Sequence, residues 1–136
     1  MSIWKNGLPD LETLSSNQSG TMVDHLGITV TGITDNSLTA RMPVDARTLQ
    51  PHGRLHGGAS VALAETVGSI AANLTLDSNE QIGVGLEINA NHVRPVKEGY
   101  VYGTATPEAL GRITDETDRL VCISRFTVAV IPARQA

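Results

Sequence analysis

The 136-residue chain predicts an α+β domain in which a curved antiparallel sheet wraps one long helix. Three observations carry this prediction. Residues 58–76 are one long helical stretch, with Leu63, Val67, Ile70 and Leu74 at helical spacing on its core face. Alternating apolar and polar residues mark two strands before that stretch and three after it. No repeat, low-complexity segment or linker interrupts the chain, so residues 1–136 read as one domain, long enough for one real core.

In chain order, "PDLETLSSN" offers Asp10 as a helix cap before spaced leucines, a short N-terminal helix. "LGITVTGI" alternates Ile28 and Val30 with Thr29 and Thr31, and "NSLTARMPV" alternates Leu38, Ala40 and Met42 with Thr39 and Arg41. These two strands form a hairpin. Residues 45–57 read as loop because Pro51, Gly53 and Gly57 break regular structure. After the long helix and an Asp77–Glu80 turn, "IGVGLEINANHVR" alternates Ile82, Val84, Leu86, Ile88 and Ala90 as a long strand. "GYVYGTAT" and "RLVCISRFTVAVI" are two more strands, the last β-branched on both faces.

Composition excludes several functions. Charged residues make up 18% and hydrophobic ones 40%, a globular balance. Aromatics at 3% and a net charge of −4 argue against a stacking or basic surface for nucleic acid. A single cysteine, Cys122, allows neither an intrachain disulfide nor a cysteine metal cluster. The N-terminus lacks a basic segment followed by an apolar run, and residues 58–76 are too polar to span a bilayer, so a soluble cytoplasmic protein is expected.

Candidate chemistry centres on "QPHGRLHGGASVALAETVGS", residues 50–69. Glu65 stands alone in an apolar helix, where a carboxylate costs free energy unless it is exposed, paired or used. Its face is lined by small residues, Gly58, Ala62, Gly68 and Ala72 among them, which would let a ligand approach. Ser69 follows one turn later and could hold a water. Gly57 and Gly58 lie where a loop enters the helix, and free N–H groups at a positive dipole end suit a developing oxyanion. Gln50 and His56 can each donate to a carbonyl. Singly each of these has a plain structural explanation; together they suit acyl transfer.

"MPVDARTLQPHGRLHGGASVALAET" followed by "VGLEINANHVR" resembles the hotdog-fold acyl-CoA thioesterases. The bacterial branch acting on aryl-CoA and 1,4-dihydroxy-2-naphthoyl-CoA esters is the nearest in pattern, and the resemblance spans nearly the whole chain. It implies a metal- and cofactor-free hydrolase with Glu65 as nucleophile or general base and Gly57 as oxyanion donor. It also implies carbonyl polarisation by Gln50 and His56, and a water placed by Ser69. His52 and Arg54 would flank the acyl pocket. Coenzyme A would meet Gly85, Leu86, Asn89, Asn91, His92, Arg94, Ser124 and Arg125, with the arginines on phosphate. The substrate would be an acyl-CoA or acyl-carrier-protein thioester. Each site would be shared across a homodimer, often within a dimer of dimers.

The chain departs from this pattern in two places. His52 and Arg54 replace an aromatic and an aliphatic residue, which favours a more polar or anionic acyl group. After "TATPEALGR" the chain passes directly to "ITDETDRL", a strand's worth shorter than relatives, roughly 8–10 residues. Either residues 107–119 form a crossover, or part of the natural chain is absent from this sequence. Two rival functions remain open at this point. One is a metal hydrolase on His52, His56, Glu65 and His92, although a loop does not put the first two on one face. The other is a non-catalytic acyl-CoA or acyl-carrier-protein binding module, for which the Glu65 carboxylate has no use.

Overall fold

The structure is a computed structural model and describes residues 1–16, 18–107 and 111–135. Helix α1 (Leu11–Ser16) begins where the Asp10 carboxylate accepts the Thr13 N–H at 3.3 Å. A second short helix, α2 (Met22–His25), is capped by Thr21. Strands β1 (Thr29–Ile33) and β2 (Leu38–Pro43) form the expected hairpin, closed by a 2.9 Å bond from Thr34 N–H to the Ser37 carbonyl. Leu38, Ala40 and Met42 all reach zero exposure, so the alternation in this strand reports its buried face.

Residues 45–57 are not wholly irregular. Strands β3 (Leu49–Gln50) and β4 (Arg54–Leu55) pair as a minimal hairpin, with Leu49 opposite Leu55 and Gln50 opposite Arg54. Pro51 and Gly53, which suggested a break, form its turn, and Gly53 supplies the positive φ of 70°. The hairpin is tied down by His56 N–H to the Thr48 carbonyl and Leu55 N–H to the Val96 carbonyl, both 2.8 Å.

Helix α3 (Gly57–Leu74) follows, then β5 (Gln81–His92), β6 (Tyr100–Ala105), β7 (Gly111–Asp115) and β8 (Leu120–Pro132). The large sheet runs β1-β2-β6-β7-β8-β5, with every neighbouring pair antiparallel. It curves over α3, which packs against β2, β5, β6, β7 and β8. Leu63 and Val67 are fully buried, while Ile70 and Leu74 are only partly so. Gly103 lets β6 close on the helix: a β-carbon there would meet Leu63 Cγ at 2.9 Å.

Two expectations need correction. The first is the crossover over residues 107–119. A strand, β7, pairs antiparallel with β6 on one side and β8 on the other, so strand direction is preserved. Residues 108–110 lie outside the described residues. β7 is short, however. Its first residue, Gly111, sits opposite Ser124, and among the described residues β8 is paired from Arg125 onward only by β5.

The second correction concerns β5. Ile82, Val84, Leu86, Ile88 and Ala90 do not share one face. The pairing with β8 shifts between Gly85 and Glu87, which leaves Leu86 as an exposed bulge residue. Gly83 and Gly85 face the helix before the bulge, and Ala90 and His92 face it afterwards.

Candidate active site

The site is built on the N-terminal half of α3. His56 caps the helix: its Nδ1 accepts the Gly58 N–H at 2.8 Å. With Nδ1 committed as acceptor, the ring proton sits on Nε2, which is the outward donor. Among the described residues the Gly57 N–H has no hydrogen-bond partner. It is one of the orphan donors of a helix start, in the field of the positive dipole end. His92 from the end of β5 packs on it, and a β-carbon at Gly57 would lie 2.8 Å from His92 Nε2. A larger residue at position 57 would have to push the exposed His92 ring aside.

Gln50, on the neighbouring hairpin, accepts the His52 N–H through its side-chain oxygen, which leaves its amide hydrogens as donors. His52 is exposed at the turn, and Arg54 donates to the Gly53 carbonyl at 3.2 Å. Thr48 braces the hairpin from below. Its buried hydroxyl donates to the Pro43 carbonyl at 2.8 Å.

Glu65 lies further along α3. Its carboxylate stands beside Gly85, where a β-carbon would be 2.8 Å from Oε1 and 3.1 Å from the Phe126 ring. Phe126 also packs on Gly68, so the chain's one phenylalanine forms a wall beside the carboxylate. Asn73 fixes this half of the helix to β5. Its amide donates to the Gly83 carbonyl at 3.0 Å and accepts the Gly83 N–H at 2.9 Å. Ser69, one turn after Glu65, has its carbonyl held by the same Asn73 amide. Sequence reasoning missed both Phe126 and Asn73, since only the folded chain reveals the glycines opposite them.

Gln50, His56 and Gly57 thus gather at the helix entrance, and Glu65 and Ser69 lie further along. Gly57 and Glu65 are eight residues apart on one helix, about 12 Å of axial rise. One copy of the chain therefore does not bring the carboxylate and the oxyanion donors onto a single carbonyl.

The residues expected to hold coenzyme A divide between the two faces of the sheet. Gly85, His92 and the buried Ser124 face the helix. Asn89 and Arg125 are paired positions on the opposite face, together with Asn91, whose amide donates to Asn89 at 3.1 Å. The Arg125 guanidinium stands 4.0 Å from Glu87, and Arg94 donates to the Leu120 carbonyl. Leu86 projects from the bulge. Among the described residues no three His, Cys, Asp or Glu side chains are grouped closely enough to hold a metal ion. No described helix is long and apolar enough to cross a membrane.

An antiparallel sheet wrapped around one long helix, with a carboxylate midway along that helix, is the hotdog arrangement of a thioester hydrolase. The thioesterase superfamily matches residues 52–121, and the chain belongs to that family. It is similar to a 1,4-dihydroxy-2-naphthoyl-CoA hydrolase of Escherichia coli, 48% identical over 137 aligned positions covering 95% of this chain and 99% of that protein. Those 137 positions exceed this chain's 136 residues, so some of that relative's residues have no counterpart here. The proofreading thioesterase EntH of Cronobacter sakazakii is also 48% identical, over 95% of this chain and 98% of its own. A mutant thioesterase of Pseudomonas aeruginosa shares the fold with a TM-score of 0.93 and 43% identity, covering 96% of this chain and 99% of that one.

Proposed function

We propose that this thioesterase hydrolyses an acyl-CoA whose acyl group is aromatic or hydroxyaromatic, such as 1,4-dihydroxy-2-naphthoyl-CoA, with Glu65 as its catalytic carboxylate. The observation that carries the reading is the pair of donors at the start of α3: the Gly57 N–H and, held by the His56 cap, the outward Nε2–H. Both suit the thioester oxygen as it gains negative charge. The Gln50 amide adds a third donor from the hairpin. Glu65 attacks the carbonyl carbon itself or draws a proton from a water placed by Ser69. The carbon–sulfur bond breaks, coenzyme A leaves as the thiol, and water supplies the oxygen of the released acid. The hydroxynaphthoyl preference is supported by the similarity to the E. coli hydrolase.

Because one helix separates the two halves of this machinery, the working site pairs Glu65 of one chain with the donors of a second copy. β5 supports that assembly. It is an edge strand of the sheet, twelve residues long, with exposed residues along most of its length and Leu86 projecting outward. Two such edges related by a two-fold axis would continue the sheet. Arg94 and Arg125 are the phosphate partners for coenzyme A or for a carrier protein's phosphopantetheine. A single cysteine suits a reducing cytoplasm. The test is thiol release across aryl-, hydroxyaryl- and aliphatic acyl-CoAs, beside the Glu65→Ala variant. Aryl esters should turn over fastest, and the variant should lose nearly all activity; binding without any hydrolysis would favour the non-catalytic module instead.

A further inference from the structure

We propose that Arg54 selects acyl groups that carry a negative charge of their own, such as a ring carboxylate, its guanidinium pairing that group while the neighbouring Gln50 amide holds the thioester oxygen. This rests on the thioesterase reading and adds to it the charge of the acyl group.

The β3–β4 hairpin supplies the geometry. Leu49 and Leu55 stand directly opposite each other and pack on the core, so the next cross-strand pair, Gln50 and Arg54, shares the other face. Residues opposed in this way have β-carbons about 5 Å apart, which makes the Gln50 amide and the Arg54 guanidinium neighbours. The support behind them is fixed. Leu55 N–H bonds the Val96 carbonyl, His56 N–H bonds the Thr48 carbonyl, and the Thr48 hydroxyl bonds the Pro43 carbonyl, each at 2.8 Å. His56 follows Arg54 by two residues on this anchored segment, so the charge and the proposed carbonyl donors share one support.

The fold leaves that charge unused. Arg47 is held by Asp45 at 2.6 Å and Arg119 by Asp115 at 2.8 Å, and Arg41 lies over the Tyr100 ring at 4.6 Å. Arg54 is half-buried, yet among the described residues it forms no ion pair, and its guanidinium bonds only the adjoining Gly53 carbonyl, at 3.2 Å. A guanidinium has five N–H donors in a fork that matches a carboxylate. Most of that capacity is free.

The chemistry of the substrate decides which anion meets it. On the sulfur side of a thioester held at Gln50, coenzyme A presents its long, uncharged pantetheine arm, and its phosphates begin only beyond that arm. Negative charge within reach of Arg54 therefore belongs to the acyl side. A carboxylate accepts two parallel bonds from the fork, whereas a neutral amide of the same shape does not. Arg54 thus discriminates by charge between acyl groups of equal size.

Two esters of equal size test this, 4-carboxybenzoyl-CoA and 4-carbamoylbenzoyl-CoA, together with their 3-substituted counterparts. Both carry the same coenzyme, so any contact of Arg54 with coenzyme phosphates cancels from the ratio of their kcat/KM values. At one ring position or both, Arg54→Leu should lower the carboxylate-to-amide ratio about tenfold, and Arg54→Lys should keep part of it; thermal midpoints establish that each variant is folded. In wild type the ratio should fall as salt rises. A ratio unchanged in folded Arg54→Leu at both ring positions, including one in which both esters slow equally, or a wild-type ratio insensitive to salt, overturns the proposal. The 4-carboxyphenacyl and 4-carbamoylphenacyl thioethers of coenzyme A, which cannot be hydrolysed, give the same comparison by calorimetry. A protein that hydrolyses neither ester but shows an Arg54-dependent preference for the carboxyl thioether overturns the hydrolase reading and keeps the anion contact.

Discussion

The Gly57 N–H, without a partner among the described residues, and the Glu65 carboxylate belong to the same helix, eight residues and about 12 Å apart along its axis. A thioester carbonyl is far smaller than that separation. If each site combines Glu65 of one chain with His56 and Gly57 of a second copy, complementary inactive chains should rescue each other. A heterodimer of Glu65→Ala and His56→Ala chains contains one site with both defects and one with neither. Random re-assortment of the two inactive proteins should restore roughly a quarter of wild-type activity. Sites confined within single chains would give no rescue, and light scattering on the mixture would confirm that dimers had formed.

Glu65→Gln preserves the shape of the side chain and removes its basicity and nucleophilicity. kcat should fall at least about 100-fold. The thermal midpoint should hardly move, because the residue is half-exposed and the substitution leaves no cavity. A non-hydrolysable acyl-CoA analogue should bind the variant as well as wild type. Retained turnover in the folded variant would remove Glu65 from the chemistry.

The proposed function gives His56 a second duty beside its cap. Its Nδ1 caps α3 while its Nε2–H faces outward. His56→Ala removes both, so stability should fall by about 1 kcal/mol and kcat by about 100-fold. His56→Asn replaces the capping acceptor but is too short to place a donor where Nε2 stands. Its thermal midpoint should recover towards wild type while kcat stays low. Parallel recovery of both would make the cap the only function of His56.

Much of this was legible in the sequence. The long helix shows in the spacing of Leu63 and Val67, and the first hairpin in the alternation of Leu38, Ala40 and Met42. The positions proposed to carry the chemistry lie in one short stretch, residues 50–69, where a helical carboxylate follows a glycine pair. Less was legible where a single residue resets a pattern. The Leu86 bulge flips the strand, so period-two counting back from Ala90 places Ile82 and Val84 on the wrong face. β7 has five residues and only Ile113 as a buried apolar one; its identity as a strand comes from its neighbours rather than from its own pattern. Phe126 and Asn73 gain meaning only opposite Gly68 and Gly83, contacts between segments distant in the chain.

The turn that closes β7 and β8 makes stability depend on pH in the acid range. Burial alone would raise the pKa of Asp115. The bonds it accepts from the Thr117 hydroxyl and from the Arg119 and Thr117 backbone, together with the Arg119 guanidinium at 2.8 Å, outweigh that and hold it at about 2. Its ordinary value is 3.8, so the folded chain binds the proton less readily than the unfolded one. The stabilisation is therefore fully present above about pH 4 and is lost as pH falls towards 2. Asp115→Asn, which cannot ionise, should be less stable than wild type at neutral pH, and the difference should shrink steadily across that window. Thermal midpoints of both proteins measured from pH 7 down to pH 2 would show it. A gap independent of pH would mean that the turn depends on the shape of the side chain rather than its charge.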